Sequence, residues 1–146
     1  MAGIYIHIPF CRKLCFYCDF YHIISKGDNI LFIDALLKEA KLREDYTGTD
    51  SISTIYLGGG TPSVLSADEL GRILNALYTL FKIEANCEIT IELNPDDVNP
   101  EYLASLKLLG INRVSIGIQS WRDSDLKMLN RRHDSAGASR ALEETF

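Results

Sequence analysis

Apolar residues follow two different periods that alternate along the chain. Short runs rich in isoleucine and valine read as strands, and the longer segments between them repeat apolar positions every three or four residues, as helices do. The pattern predicts four strand-helix units. A strand near Ile4–Ile8 leads to a helix over Ile30–Tyr46, whose Leu31, Ala35 and Leu42 recur at helical spacing and which Gly48 closes. A second strand, Ile52–Leu57, runs into Gly58-Gly59-Gly60-Thr61-Pro62, and Ser66 with Glu69 has the capping-box spacing that opens a helix to about Phe81. The third strand, Cys87–Leu93, ends at Asn94-Pro95. Asn99-Pro100 then supplies a cap and first-turn proline for a helix that Gly110 terminates. Arg113–Ile118 is the fourth strand, followed by helical segments over Asp123–Leu129 and Ala136–Phe146.

This alternation predicts an α/β fold with a parallel sheet and helical crossovers. No repeat, low-complexity segment or Pro/Gly/Ser-rich linker divides it, so residues 1–146 read as part of one domain. Four units do not close an eight-fold barrel, and the last strand leaves an open parallel edge, so the expectation is a piece of a larger domain. Apolar residues make up 47% of the chain, enough for a core without disulfides. The formal charge of −5 argues against a nucleic-acid partner, which needs a basic face. No apolar run approaches the ~18 residues of a membrane span, and MAGIYIHIPF lacks the features of a signal peptide. A cytoplasmic location is expected.

Candidate chemistry concentrates in the cysteines. Cys11, Cys15 and Cys18 form CxxxCxxC, a spacing that lets one short loop wrap three thiolates around a metal centre, while Cys87 stands alone in a strand. Clustered thiols suit metal binding in a reducing compartment. Thiolates favour zinc or an iron-sulfur cluster, and a cluster with three protein ligands keeps one iron open for a small molecule. A zinc site completed by His7 or His22 is the alternative, although no second cysteine knuckle is present. Elsewhere each candidate has two readings. The Gly58-Gly59-Gly60 loop is a tight turn or a backbone cradle for a ligand. Glu92 is a solvated strand end or a carboxylate facing ribose-type hydroxyls. Arg131 is a surface charge or a forked donor, and Tyr5 is core or ligand-facing.

The cysteine spacing, with the aromatic Tyr17 just before the third cysteine, resembles the signature of the radical S-adenosylmethionine (SAM) superfamily. YIHIPFCRKLCFYCDF, LGGGTPS, IELNPDD and RVSIGIQSW, in this order, are similar to the branch containing oxygen-independent coproporphyrinogen III oxidases and HemW-type haem chaperones. The resemblance covers nearly the whole chain. It implies the first four units of a partial barrel of six strand-helix units, with a 4Fe-4S cluster on Cys11, Cys15 and Cys18 and SAM on its open iron. It also implies that Gly59, Gly60 and Thr61 meet the amino-acid end of SAM, Glu92 its ribose and Arg131 its carboxylate. Gln119, Tyr5 and Tyr17 would lie nearby, and an electron donor such as flavodoxin or ferredoxin would serve the cluster. The oxidases carry a further cysteine two positions after the third, where this chain has Phe20, as in the haem-chaperone pattern. The resemblance therefore implies haem binding and delivery to acceptor proteins, with porphyrinogen decarboxylation as the alternative. The residues for either are expected beyond Phe146.

Overall fold

A computed structural model describes residues 2–24, 27 and 29–145. In chain order the elements are β1 (Ala2–Ile8), β2 (Phe10–Cys11), β3 (Ile23–Ile24), α1 (Ile30–Leu42), β4 (Ile52–Gly59), α2 (Ala67–Leu80), β5 (Ile83–Leu93), α3 (Pro100–Leu108), β6 (Arg113–Ile116), α4 (Asp123–Met128) and α5 (Ser135–Thr145). The main sheet is parallel with the order β1-β4-β5-β6, so each crossover reaches the adjacent strand and the order never reverses. That is how barrels are built, whereas doubly wound sheets reverse at a switch point. All four strands therefore release their loops at one edge of the sheet. No helix of the described residues is long and apolar enough to cross a membrane.

Alternation along the strands separates two faces. Ile6, Ile8, Ile55, Leu57, Ile89, Ile91 and Leu93 are buried and join Ile33, Leu70, Ile73, Leu74, Leu77 and Leu106 of the helices in one core. The capping box at α2 is present as expected: Ser66 Oγ accepts from the Glu69 N–H (3.2 Å) and Glu69 Oε2 from the Ser66 N–H (2.7 Å). Such a cap contributes about 1 kcal/mol. Asn99 caps α3 by accepting from the Tyr102 N–H at 2.9 Å.

Helix α1 departs from expectation in two ways. It ends at Leu42, and the chain continues through short-range turns to Gly48 at φ +56°. Its buried stripe is Ile33 with Phe32, Leu36, Leu37 and Ala40, whereas Leu31 and Leu42 are 80% and 87% exposed. The segment ILFIDALL is apolar nearly all round, so several stripes fit its sequence and packing against α2 selects one. Strand β5 starts four residues before Cys87, and β6 stops at Ile116 because the chain turns through Gly117 to Gln119, whose φ is +71°. Helix α5 covers the expected last segment to Thr145; Phe146 lies outside the described residues. The two-residue parallel ladder between β2 and β3 has no signal in the periodicity.

Candidate functional site

The cysteine loop leaves β1 and is clamped at both ends. Pairing of β2 with β3 and a 2.7 Å bond from the Ile23 N–H to the Pro9 carbonyl close its base. Its tip docks on the segment after α4, where Asn130 Nδ2 donates to the Leu14 carbonyl (2.6 Å) and the Phe16 N–H to the Leu129 carbonyl (3.2 Å). Cys11 is buried, and Cys15 and Cys18 are half-buried. Each of the first two receives a donor: Thr61 Oγ1 lies 3.4 Å from Cys11 Sγ and Arg131 Nη1 3.3 Å from Cys15 Sγ. Burial pushes the Cys11 thiol up, with Cys18 and Cys15 adding to the rise, and the Thr61 hydrogen bond and the Arg131 charge oppose it. A thiolate here therefore gains from the positive charge of a bound metal, which is how metal ligation and deprotonation couple.

The glycine run is fixed by what surrounds it. Gly59 has φ +114°, and a Cβ there would stand 2.6 Å from His7 Nδ1. A Cβ on Gly60 would meet the Phe10 carbonyl oxygen at 2.8 Å. Backbone thus replaces side chain where this loop crosses the start of the cysteine loop, and Thr61 is delivered to Cys11 as a result. The Gly60 N–H bonds the Ile8 carbonyl and the Thr61 N–H the Phe10 carbonyl, both at 2.8 Å.

The face of the sheet opposite the core is polar. Tyr5, Tyr56, Thr90 and Arg113 lie in register across it, with Glu92 beside Ser115 one row further toward the loops. The Glu92 carboxylate is held at both oxygens, by the Tyr56 hydroxyl at 2.7 Å and the Gly59 N–H at 3.1 Å. That hydrogen bond, followed by burial, pushes the Tyr56 phenol up. Arg131 spreads its fork between the Asn94 side-chain oxygen (3.0 Å), the Gly117 carbonyl (2.7 Å) and the Tyr17 hydroxyl (3.4 Å), and its buried Nε has no partner among the described residues.

These groups enclose a cavity of ≈ 260 Å³. Cys11, Cys15, Cys18 and Tyr17 wall it on the loop side, with Gly59, Gly60 and Thr61 beneath, and Glu92, Gln119 and Arg131 at the far side. Tyr5 stands apart from this wall. It is 59% exposed, stacks on Tyr56 at 6.1 Å and donates to His7 Nδ1 at 3.1 Å. Sequence reasoning missed Tyr56 and Asn94, and weighed His7 only as a zinc ligand, not as a partner of Tyr5 on the polar face. Strand alternation could have found Tyr56 and this role of His7, since Tyr5, His7 and Tyr56 share the polar face.

The donor set suits an iron-sulfur cluster, because thiolates favour iron-sulfur centres and a cube takes each of three thiolates on a different iron. The histidines proposed for zinc have other partners. His7 Nε2–H donates to the Tyr21 carbonyl (3.0 Å), and His22 Nδ1 lies 2.6 Å from the Phe20 carbonyl and 4.0 Å from Cys18 Sγ. The unpartnered Arg131 Nε leaves a donor for an anionic group.

A parallel half-barrel with three thiolates at the carboxyl edge of its strands is the framework of a radical SAM protein. The family model of the Radical SAM superfamily matches residues 5–145, and the chain belongs to that superfamily. Membership implies a 4Fe-4S cluster and SAM. Within it the chain sits in the HemN/HemW-like branch. It is 40% identical over 130 residues to the heme chaperone HemW of Lactococcus lactis, covering 88% of this chain and 33% of the relative. To the heme chaperone HemW of Escherichia coli K12 it is 36% identical over 143 residues, 97% of this chain and 38% of the other. The solved structure of the E. coli coproporphyrinogen III oxidase HemN, described as a radical SAM enzyme, matches with a TM-score of 0.90 at 30% identity, covering 98% of this chain and 33% of that one. The chain thus spans about a third of the length of the relatives it matches.

Proposed function

We propose that this chain is the cluster- and SAM-binding portion of a HemW-like haem chaperone, which binds haem and passes it to acceptor proteins in the cytoplasm. Phe20 carries the choice between the branch's two activities. It lines the cavity two positions after Cys18, where the oxidase pattern has a further cysteine, and its ring can neither ligate metal nor relay a proton. The similarity to heme chaperones points the same way.

Cys11, Cys15 and Cys18 would hold the cluster as thiolates, their charge eased by the donors from Thr61 and Arg131. When bound, the cluster supplies single electrons, from a flavodoxin- or ferredoxin-type donor, for reductive cleavage of the SAM sulfonium. Glu92 would accept from the ribose hydroxyls, with Tyr56 and Gly59 fixing its carboxylate for that task. Gly59 and Gly60 let backbone approach the amino-acid end, Arg131 Nε offers a donor to the carboxylate, and Gln119 and Tyr17 border the same space. Tyr5 acts one step back, through its stacking on Tyr56.

The close match to the HemN structure favours a second reading, oxidative decarboxylation of coproporphyrinogen III. Mass spectrometry separates the two. With cluster, SAM and reductant present, the full-length protein is expected to bind haem and leave coproporphyrinogen III unconverted. Decarboxylated porphyrinogen formed over many turnovers would replace the chaperone reading with the oxidase one.

A further inference from the structure

Asp97 belongs to the turn after β5 and contributes nothing to the cavity wall, yet its carboxylate is only 5% exposed. Burying a carboxylate is expensive unless it is paired and hydrogen-bonded. Three groups meet that cost. Ser63 Oγ donates at 2.8 Å, Arg132 Nη1 lies at 3.3 Å and Arg12 Nε at 3.5 Å. Each partner comes from a different loop and stands beside a candidate ligand residue: Arg12 follows Cys11, Ser63 is two residues after Thr61, and Arg132 follows Arg131. One carboxylate therefore ties together the cysteine loop, the glycine loop and the arginine segment.

A second path reaches the neighbouring guanidinium of Arg131. Ser63 Oγ, while donating to Asp97, accepts the Asn94 N–H at 3.1 Å, and Asn94 Oδ1 accepts from Arg131 Nη2 at 3.0 Å. Asp96 adds a weaker tie to Arg132 at 3.8 Å. We propose that Asp97 is a positioning residue of the cofactor pocket, setting the distance between the cluster-bearing cysteines and the Arg131 donor through Arg12, Ser63 and Arg132. The inference rests on the reading of this pocket as the site of cluster and SAM. It predicts that charge at Asp97 governs SAM binding beyond any effect on folding.

The test uses anaerobically reconstituted protein, with iron content, the SAM-induced change in the electron paramagnetic resonance (EPR) spectrum and the thermal unfolding midpoint measured on each variant. Asp97→Asn is close to isosteric, keeps an acceptor for Ser63 and removes the charge. It is expected to retain iron and secondary structure but to weaken SAM roughly tenfold, as losing charge-assisted contacts does. Asp97→Glu should recover part of that loss. Arg132→Gln should weaken SAM as well, and the double variant Asp97→Asn/Arg132→Gln should be weaker by less than the product of the single effects, because both act through one contact. SAM titrations unchanged in Asp97→Asn, or single effects that multiply in full, would overturn the proposal. If Asp97→Asn does not fold, Arg12→Gln, at a side chain 55% exposed, carries the test: a shifted cluster spectrum supports the tie and an unchanged one removes it. A wild-type protein whose spectrum ignores SAM would instead overturn the cofactor reading, and this inference with it.

Discussion

The two faces of the parallel sheet follow different rules although they alternate residue by residue along the same strands. Toward the helices, Ile55, Leu57, Ile89 and Ile91 are at most 1% exposed and serve packing alone. On the other side Tyr5, Tyr56, Thr90 and Arg113 form a polar row leading to Glu92 and the cavity. Parallel sheets usually bury both faces under apolar side chains. A polar face therefore marks the side given to ligands, and the difference separates residues that hold the fold from residues that hold the site.

Changes at the thiolates should have the largest effect, and only on the site. Each of Cys11→Ser, Cys15→Ser and Cys18→Ser is expected to abolish cluster binding, since a hard hydroxyl is a poor substitute for a thiolate. Cys87→Ser, on the core side of β5, should keep its iron. Iron and sulfide analysis after anaerobic reconstitution checks both halves, and a full iron complement in Cys15→Ser would break the comparison at its root.

On the packed face, Leu57→Ala empties a fully buried position and should destabilise the protein by about 2–5 kcal/mol in urea unfolding. Any loss of SAM affinity should then follow the loss of folded protein. Glu92→Ala is the counterpart on the polar face. It should leave stability much less affected and weaken SAM by about 1.5–3 kcal/mol, or roughly tenfold or more. Tyr56→Phe removes one of the two donors that orient Glu92 and should weaken SAM in the same direction by about 0.5–1.5 kcal/mol. Equal stability losses on the two faces would erase the distinction.

The smallest effect concerns His133, whose side chain is 1% exposed between the Ile118 carbonyl and Asp96. Burial pushes its imidazole below the ordinary 6.5, against the opposing Ile118 hydrogen bond. The unfolded chain then takes up the proton first as pH falls, so the stability from keeping His133 neutral is present above pH 6.5 and is lost progressively below it. Thermal unfolding of wild type across this range should show that slope, and His133→Gln should flatten it.

Much of this division was legible in the chain, because its signals are local. The capping box at Ser66, Asn99-Pro100 before α3 and the CxxxCxxC loop each specify their element through neighbouring residues. The cavity wall was legible for a related reason: parallel strands send every following loop to one edge, so residues just after β1, β4, β5 and β6 must meet there. Contacts between distant segments were not legible. Nothing around Asp97 announces Arg12, Ser63 and Arg132 as its partners, because loop packing brings them together. Tyr56 sat in plain view as an alternating strand residue, but which face of β4 is polar depends on where the helices pack. The stripe of α1 was misread for the same reason, since an all-apolar segment has no preferred face until α2 supplies one.

The central claim is that the three cysteines and the polar carboxyl edge of the sheet make one site for a cluster and SAM. EPR of the anaerobically reconstituted, reduced protein, titrated with SAM, tests it most directly. The account predicts a 4Fe-4S signal that shifts on SAM addition, with roughly tenfold or more SAM needed for the same shift in Glu92→Ala. A protein that takes up zinc and no iron-sulfur cluster, or a cluster signal indifferent to saturating SAM, would contradict it.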